Sequence, residues 1–531
     1  MKLITALVCF VLVLSPVPVN AEEQHQHFDS NEKLGTVSFA TSCAPSVQKP
    51  FERGIALLHS FWYDEANKQF QRVAEDDPKC AMADWGQAMS LYHQLWSRPD
   101  SADLKRGWSL LRKAHAIGAK MPRERDYIEA LSAFYRRYDK VDHEKRATAY
   151  AQAMEKVAQK YPDDHEASVF YALALLASAP DHDTTLENPK KAIAILNKLF
   201  AQEPEHPGVA HYLIHAADNP QLAQLGLSAA RRYAEIAPAS PHAVHMPSHI
   251  FARLGLWQDD IQSNLKSVEV SRQYSGMRLG ADKVHSMDFL EYAYLQTGEN
   301  SKAIEMVKAV AQVGPGEVDK SLGGYLNYAR AHFPAMYALE THAWKDAVAL
   351  SPPTGAEPYN QAITFWARAV GAGHLRDAAA ARAAMARYEA MVEATRIGKE
   401  AYIAKYMDTR QDEARAWLAF AEGKNDEALR LLRPVADRED AEGKGEVELP
   451  AREMLADMLL EMGLPEQALA EYEKSLKTDP SRFNGLYGAA QAAEATHDSE
   501  KAKLYYAQLL KNCENGERPE LARAKTLLAM Q

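Results

Sequence analysis

The chain lacks most of the short signatures that announce a chemistry. It has no GxGxxG, P-loop, nucleophile elbow or CxxC, so the common dinucleotide, phosphate, serine-nucleophile and thiol-redox signatures are missing. It also has no long basic run. With a formal net charge of -11, nothing supplies the clustered Lys and Arg that a general affinity for nucleic acid or anionic lipid needs. Beyond the first residues no stretch approaches a bilayer-spanning apolar run, which argues against a membrane span. Alternating β-branched runs are nearly absent, which argues against a sheet. Cysteine is scarce, at four residues in 531.

What is present begins at the amino terminus. MKLITALVCFVLVLSPVPVNAEE places Lys2 before an apolar run from Leu3 to Leu14 and a small-residue exit at Val19-Asn20-Ala21. That is the anatomy of a secretory signal peptide over residues 1–21, cut after Ala21, and it predicts export, with the periplasm as destination. Cys9 lies inside the signal. Of the remaining three cysteines, Cys43 and Cys80 flank one predicted helical hairpin and would meet oxidising conditions after export. The preferred reading is a Cys43–Cys80 disulfide, the alternative two small buried thiols, with Cys513 left over. Residues 22–44 are expected to be flexible, and His25 and His27 to belong to a solvated tail.

Periodicity then organises the rest. Near the C-terminus, LPAREMLADMLLEMGLPEQALAEYEKSLKTDP is followed by SRFNGLYGAAQAAEATHDSEKAKLYYAQLL. Ala468 and Ala502 stand 34 residues apart, and each is followed four residues later by an aromatic, Tyr472 or Tyr506. VQKPFERGIALLHSFWYDEANKQFQRVAEDDP near the other end supplies Gly54, Ala66, Phe70 and Pro78 at matching places. This pattern resembles the tetratricopeptide repeat, a helix-turn-helix unit with small residues where its helices cross. The resemblance covers most of residues 45–512 and is loosest at about 100–160.

The physics points the same way. Apolar residues recur at three- and four-residue spacings, and prolines sit mostly between helices. A single hairpin cannot bury its apolar face, so neighbours must stack. The expected fold is all-α, a right-handed helical-repeat solenoid with a concave face. Its expected parts are repeats over 45–205, a His-rich set over 206–310, degenerate repeats over 311–400 and C-terminal repeats over 401–531. Asp437–Glu448 (DREDAEGKGEVE) reads as a turn or mobile loop between units.

The chemistry concentrates in two neighbouring stretches, HYLIHAADNP from His211 and PHAVHMPSHIF from Pro241. Five of 19 histidines, His211, His215, His242, His245 and His249, fall inside 39 residues. Helical steps of three and four residues leave His242, His245 and His249 within roughly 60° around one axis, and His211 and His215 one turn apart. Adjacent helices about 8–10 Å apart let facing imidazoles meet. The resemblance adds that all five match inward-facing positions of the repeat's first helices, from which ligands are read in that family.

On the same stripe lie His285, Asp288, Tyr292 and His332, while Arg253 and Gln296 extend its polar lining. Asp218 is placed to accept a ring N–H and fix a tautomer. An all-imidazole site without thiolate suits Zn or Cu, or Ni or Fe, better than Ca or Mg. Tyr212 stands where an HExxH motif would need its glutamate, so zinc-protease chemistry is unsupported.

Three functional readings remain open. The first is an exported binding protein whose concave face holds a protein, peptide or small ligand around a metal-loaded histidine cluster. The second is a metal-dependent enzyme with His211, His215, His245 and His249 as ligands and Asp218 or Asp288 as the orienting or proton-accepting carboxylate. The third is a pure protein–protein scaffold, in which the histidines merely hydrogen-bond between repeats.

Overall fold

Small residues at the crossings and aromatics in the gaps generate the architecture. In the first repeat the Phe70 ring lies against Gly54 and Gly86, where an added Cβ would stand 2.7 and 2.5 Å from it. Near the other end Tyr472 packs on Gly488, where a Cβ would be 2.3 Å away. Each glycine lets two helices close onto one buried ring, and a fully buried ring of this size contributes about 1.5–3 kcal/mol. Helix starts are set locally by proline at Pro122, Pro207, Pro241, Pro358 and Pro465. Side-chain caps do the same at Asp100, Ser240, Asp377 and Asp498.

The computed structural model describes residues 32–95, 98–180, 183–275, 278–318, 322 and 324–529. The signal-peptide reading, His25 and His27 lie outside the described residues. Those described form 26 α-helices, most packing antiparallel on the next to give the expected all-α helical-repeat solenoid. Residues 33–531 belong to one compact unit with two main hydrophobic cores. One core runs from Leu34 to Phe251 and the other from Ala252 to Ala524, so the seam falls within the His-rich stretch.

The solenoid curls far enough for distant repeats to touch. The Gln48–His59 helix packs against the Pro207–Ala217 helix. The Phe483–Ala495 helix returns to the Ala281–Gln296 helix. There Arg482, fully buried, pairs with Glu340 at 2.7 Å and Glu453 at 2.8 Å and also bonds Tyr292. The Trp257 indole donates to the Ser481 carbonyl at 2.8 Å. Gly255 makes this approach possible, because its φ is +64° and a Cβ there would stand 2.4 Å from the Pro480 carbonyl oxygen.

Two expectations change. The segment expected to be flexible from 22 to 44 is packed from residue 33 onward. Leu34 and Phe39 are buried, Thr36 N–H donates to the Glu205 carbonyl at 2.9 Å, and Gln48 donates to the Phe39 carbonyl at 2.8 Å. Its apolar residues are too few to show a period but fill a groove that the curled repeats create. Cys43 and Cys80 are joined by a disulfide with Cα atoms 4.8 Å apart, which ties this strap to the second hairpin, and Cys513 is a buried thiol.

The second change concerns 437–448. The Asn425–Glu442 helix covers the first half of this stretch, and the turn after it folds back onto distant repeats. Tyr292 donates to the Glu448 carbonyl at 2.9 Å, and Lys444 pairs with Asp479 at 2.6 Å. A polar, glycine-bearing composition marks a non-helical path, and here that path lines a site.

Candidate metal centre

The local fold brings the histidines to one place. The Pro207–Ala217 helix carries His211 and His215 one turn apart. The next first helix is broken by Pro247 into Pro241–His245 and Pro247–Arg253, because proline has no N–H and its ring crowds the preceding turn. Met246 keeps helical angles, so His242, His245 and His249 still share a face. The sixth histidine, His285, comes from the Ala281–Gln296 helix.

The five expected rings do not meet at a single point. They sort into two groups of three, with His285 completing the second. The ligand nitrogens of His211, His215 and His242 lie within 4.8 Å of one another, as do those of His245, His249 and His285. The Nε2 of His211 is 3.0 Å from that of His215 and 3.2 Å from that of His242. The Nε2 atoms of His245 and His249 are 3.0 Å apart. Nitrogens bound tetrahedrally to one zinc ion would be separated by about 3.3 Å.

The outward nitrogens fix the tautomers. His211 Nδ1 donates to the His59 carbonyl at 2.6 Å. His245 Nδ1 donates to Asn264 Oδ1 at 2.6 Å, an amide oriented by its own donation to Asp260. His249 Nδ1 donates to Asp218 at 2.9 Å and Glu446 at 2.7 Å. With their Nδ1 protons so committed, His245 and His249 face each other through their Nε2 atoms, 3.0 Å apart. Two acceptors 3.0 Å apart repel unless a cation, whether proton or metal ion, lies between them.

The electrostatics divide the set. Burial, reinforced by neighbouring imidazoles, pushes His211, His215, His242 and His245 well below the usual histidine range. His285 is pushed down by burial to about 3. These rings are neutral bases, the form that coordinates a metal. His249 differs: burial opposes its charge, but Glu446 and Asp218 outweigh that and hold it up at about 10. Behind them Arg253 binds Asp218 at 2.9 Å. Burial works against the charge of Glu446, yet Arg253 and His249 keep its carboxyl well below the ordinary range.

Each group is backed by one phenylalanine. The Phe61 ring centroid lies 4.3 Å from that of His211 and 5.5 and 5.8 Å from those of His215 and His242. Phe289 lies 4.8 Å from both His245 and His249 and 5.4 Å from His285. A chamber of about 1070 Å³ adjoins them, with His242, His249 and His285 in its wall beside Tyr325, Trp366 and Arg410.

The other stripe residues go elsewhere. Asp288 lies against Tyr328 and His332, at 3.3 and 3.5 Å, away from the six histidines. Tyr292 is taken by Arg482 and Glu448. Asp218 caps the end of the Pro207–Ala217 helix and serves His249, a ring of the following repeat. Sequence reasoning missed Glu446, His59, Asn264 and Tyr325, whose hydroxyl lies 3.0 Å from His285 Nδ1. Glu446 is 197 residues from its histidine, and no local signal marks it.

Comparison with known proteins adds fold neighbours of low identity. No protein-family model and no curated protein matches the chain. Among solved structures it is similar to a tetratricopeptide repeat protein from Parabacteroides merdae, at 14% identity over 55% of this chain and 98% of that one, with a TM-score of 0.27. It is also similar to the human IFIT1 dimer with m7Gppp-AAAA, at 12% identity over 81% and 90%, with a TM-score of 0.37. The TPR domain of P58(IPK) matches at 13% identity over 91% and 99%, with a TM-score of 0.20.

Proposed function

We propose that the chain is an exported transition-metal-binding repeat protein that presents its metal to a small ligand in the adjoining chamber. The observation that carries this reading is the His245–His249 pair, in which both outer nitrogens are anchored and both inner ones converge at 3.0 Å. The same convergence holds for a third ring in each group, all ligand nitrogens lying within 4.8 Å of one another, which packing of separate rings does not require. Imidazole donors without thiolate favour Zn or Cu. The disulfide supports an oxidising compartment, in line with the expected signal peptide.

Three imidazoles leave a coordination position free, which is the arrangement of catalytic rather than closed structural zinc sites. The chamber beside them supports a second reading, an enzyme whose substrate enters there, with Asp218 orienting a ligand and not exchanging protons with substrate. A scaffold role has no comparable support.

The test is elemental analysis of the mature full chain, isolated and then incubated with Zn(II) or Cu(II) and desalted. Whole-number metal content is expected, reduced in His215→Ala and His245→Ala with helical content kept. A wild-type chain that retains no metal under either treatment would refute the reading.

A further inference from the structure

The two groups of histidines adjoin. His215 of the first and His249 of the second have ring centroids 6.2 Å apart, and His242 and His245 are likewise 6.2 Å apart. Within the first group His215 and His242 are 6.4 Å apart, so the gap between groups is no wider than the spread inside one. The imidazoles form a continuous series of ring contacts from His211 to His285. Each group has its own phenylalanine behind it and at least one ring in the chamber wall.

We infer that the two groups form one dinuclear centre, His211, His215 and His242 holding one ion and His245, His249 and His285 a second, with a small oxygen-donor ligand bridging them from the chamber. This rests on the metal-binding reading above and specifies it. Three neutral imidazoles leave each ion coordinatively unsaturated, and paired ions in proteins commonly stand about 3.5–4 Å apart. Six neutral ligands add no negative charge, so two dications this close repel strongly. Asp218 and Glu446 lie behind His249, on the outer side of one ion only, and Arg253 offsets part of their charge. The remaining compensation has to come from the open face, where the chamber meets both groups through His242, His249 and His285. An anionic oxygen donor, hydroxide in the simplest case, fits that position and can join both ions.

The arrangement also separates this centre from the other buried histidine group. His59 and His206 both engage Glu166, at 2.8 and 3.0 Å, while His59 Nδ1 takes the Tyr212 hydroxyl at 2.9 Å and His206 Nδ1 takes the Val209 N–H at 3.2 Å. Every ring nitrogen there has a protein partner, so that group is a hydrogen-bonded brace.

The full chain freed of metal and reloaded with Cu(II) provides the test. Metal content after desalting should be two ions per chain, and the electron paramagnetic resonance signal should integrate to well under two spins, because a single-atom bridge couples the ions. His215→Ala and His285→Ala, one from each group, should each retain one ion with one full spin. Two ions with two full spins would mean independent sites and overturn the bridged pair. One ion in the wild type would also overturn it while leaving the metal-binding reading standing, and none would remove both. The wild-type spin count decides the matter even if a variant misfolds.

Discussion

His211 donates its Nδ1 proton to the main-chain carbonyl of His59, 2.6 Å away and 152 residues earlier in the chain. The position of that carbonyl depends on the His59 side chain, which is fully buried and braced by Glu166 and Tyr212. Gly208 admits the ring, since a Cβ there would stand 2.6 Å from it. The inner nitrogen of His211, Nε2, is therefore aimed by a hydrogen-bonded network two layers deep.

Removing the centre of that network should be costly. Glu166→Ala leaves His59 and His206 without their shared acceptor in a water-free place, and breaking a buried charged contact of this kind typically costs about 3–5 kcal/mol. A clear fall in the thermal midpoint is expected, followed by circular dichroism. Glu166→Gln, which keeps an acceptor oxygen, should fall less; equal losses would mean that the carboxylate's charge and shape contribute nothing.

Glu446→Ala tests the carboxylate that the sequence did not reveal. It leaves Asp218 on His249 but removes the closer of the two acceptors, at 2.7 against 2.9 Å. Losing an outer partner of a metal-bound histidine costs about 10–100-fold in metal affinity. A competition titration with a chromophoric chelator should show a loss in that range with the helical content unchanged. An unaltered affinity would show that the loop contact does not orient the ring.

How far the sequence disclosed all this follows from what a repeat encodes. Ala66 with Phe70 and Ala468 with Tyr472 declare the hairpins because crossing geometry demands small-plus-aromatic pairs at fixed spacing. Periodicity also fixes the azimuth of a residue, which is why His211, His215, His242, His245 and His249 all fall on the inner face. It does not fix how helices slide and tilt along the groove. His285 therefore joins the clustered histidine rings while Tyr292, two turns further along the same helix, reaches Arg482. Closure of the superhelix, which delivers Glu446 and Arg482 from the far end, is a sum of many small repeat rotations that no single repeat shows.

Reduction tests the amino-terminal strap. The disulfide spans a sequence separation of 37 residues, for which the loop-entropy relation gives roughly 4 kcal/mol of stabilisation. Dithiothreitol, or a Cys43→Ser/Cys80→Ser variant, should lower the thermal midpoint. Proteolysis should then cut first within residues 33–44, since Phe39 and Leu34 would lose the anchor that holds them in their groove. Unchanged protection of that segment would show that packing alone suffices.

Glu439 predicts a pH dependence. Burial pushes its carboxyl up to about 7, opposed only in part by the Ala451 N–H and Lys444. An acid whose folded pKa exceeds its unfolded one stabilises the fold below about 4.3 and loses that contribution as the pH rises through 7. The thermal midpoint should therefore decline between about pH 4.3 and 7 and level off above, and Glu439→Gln should flatten the decline. An identical slope in the variant would assign the effect to another group.

Phe61 carries the sharpest conflict between local and functional demands. It sits with φ of 53°, in the turn between two helices of a hairpin, where some repeats place Gly255, Gly298, Gly423 and Gly463 at φ of 64°, 73°, 76° and 73° and others His342, Arg376 and His497 at 55°, 55° and 62°. The left-handed conformation costs a residue with a side chain about 1–2 kcal/mol. The half-buried ring recovers a similar amount by leaving water, so Phe61→Gly should change overall stability by less than about 1 kcal/mol. What the ring does beyond this is pack against His211, His215 and His242. Its loss should speed metal release to a chelator from those three histidines while His245, His249 and His285 are unaffected. A single slow release phase in both proteins would deny this role, and a large drop in stability would show that the ring's packing outweighs the strain of its turn.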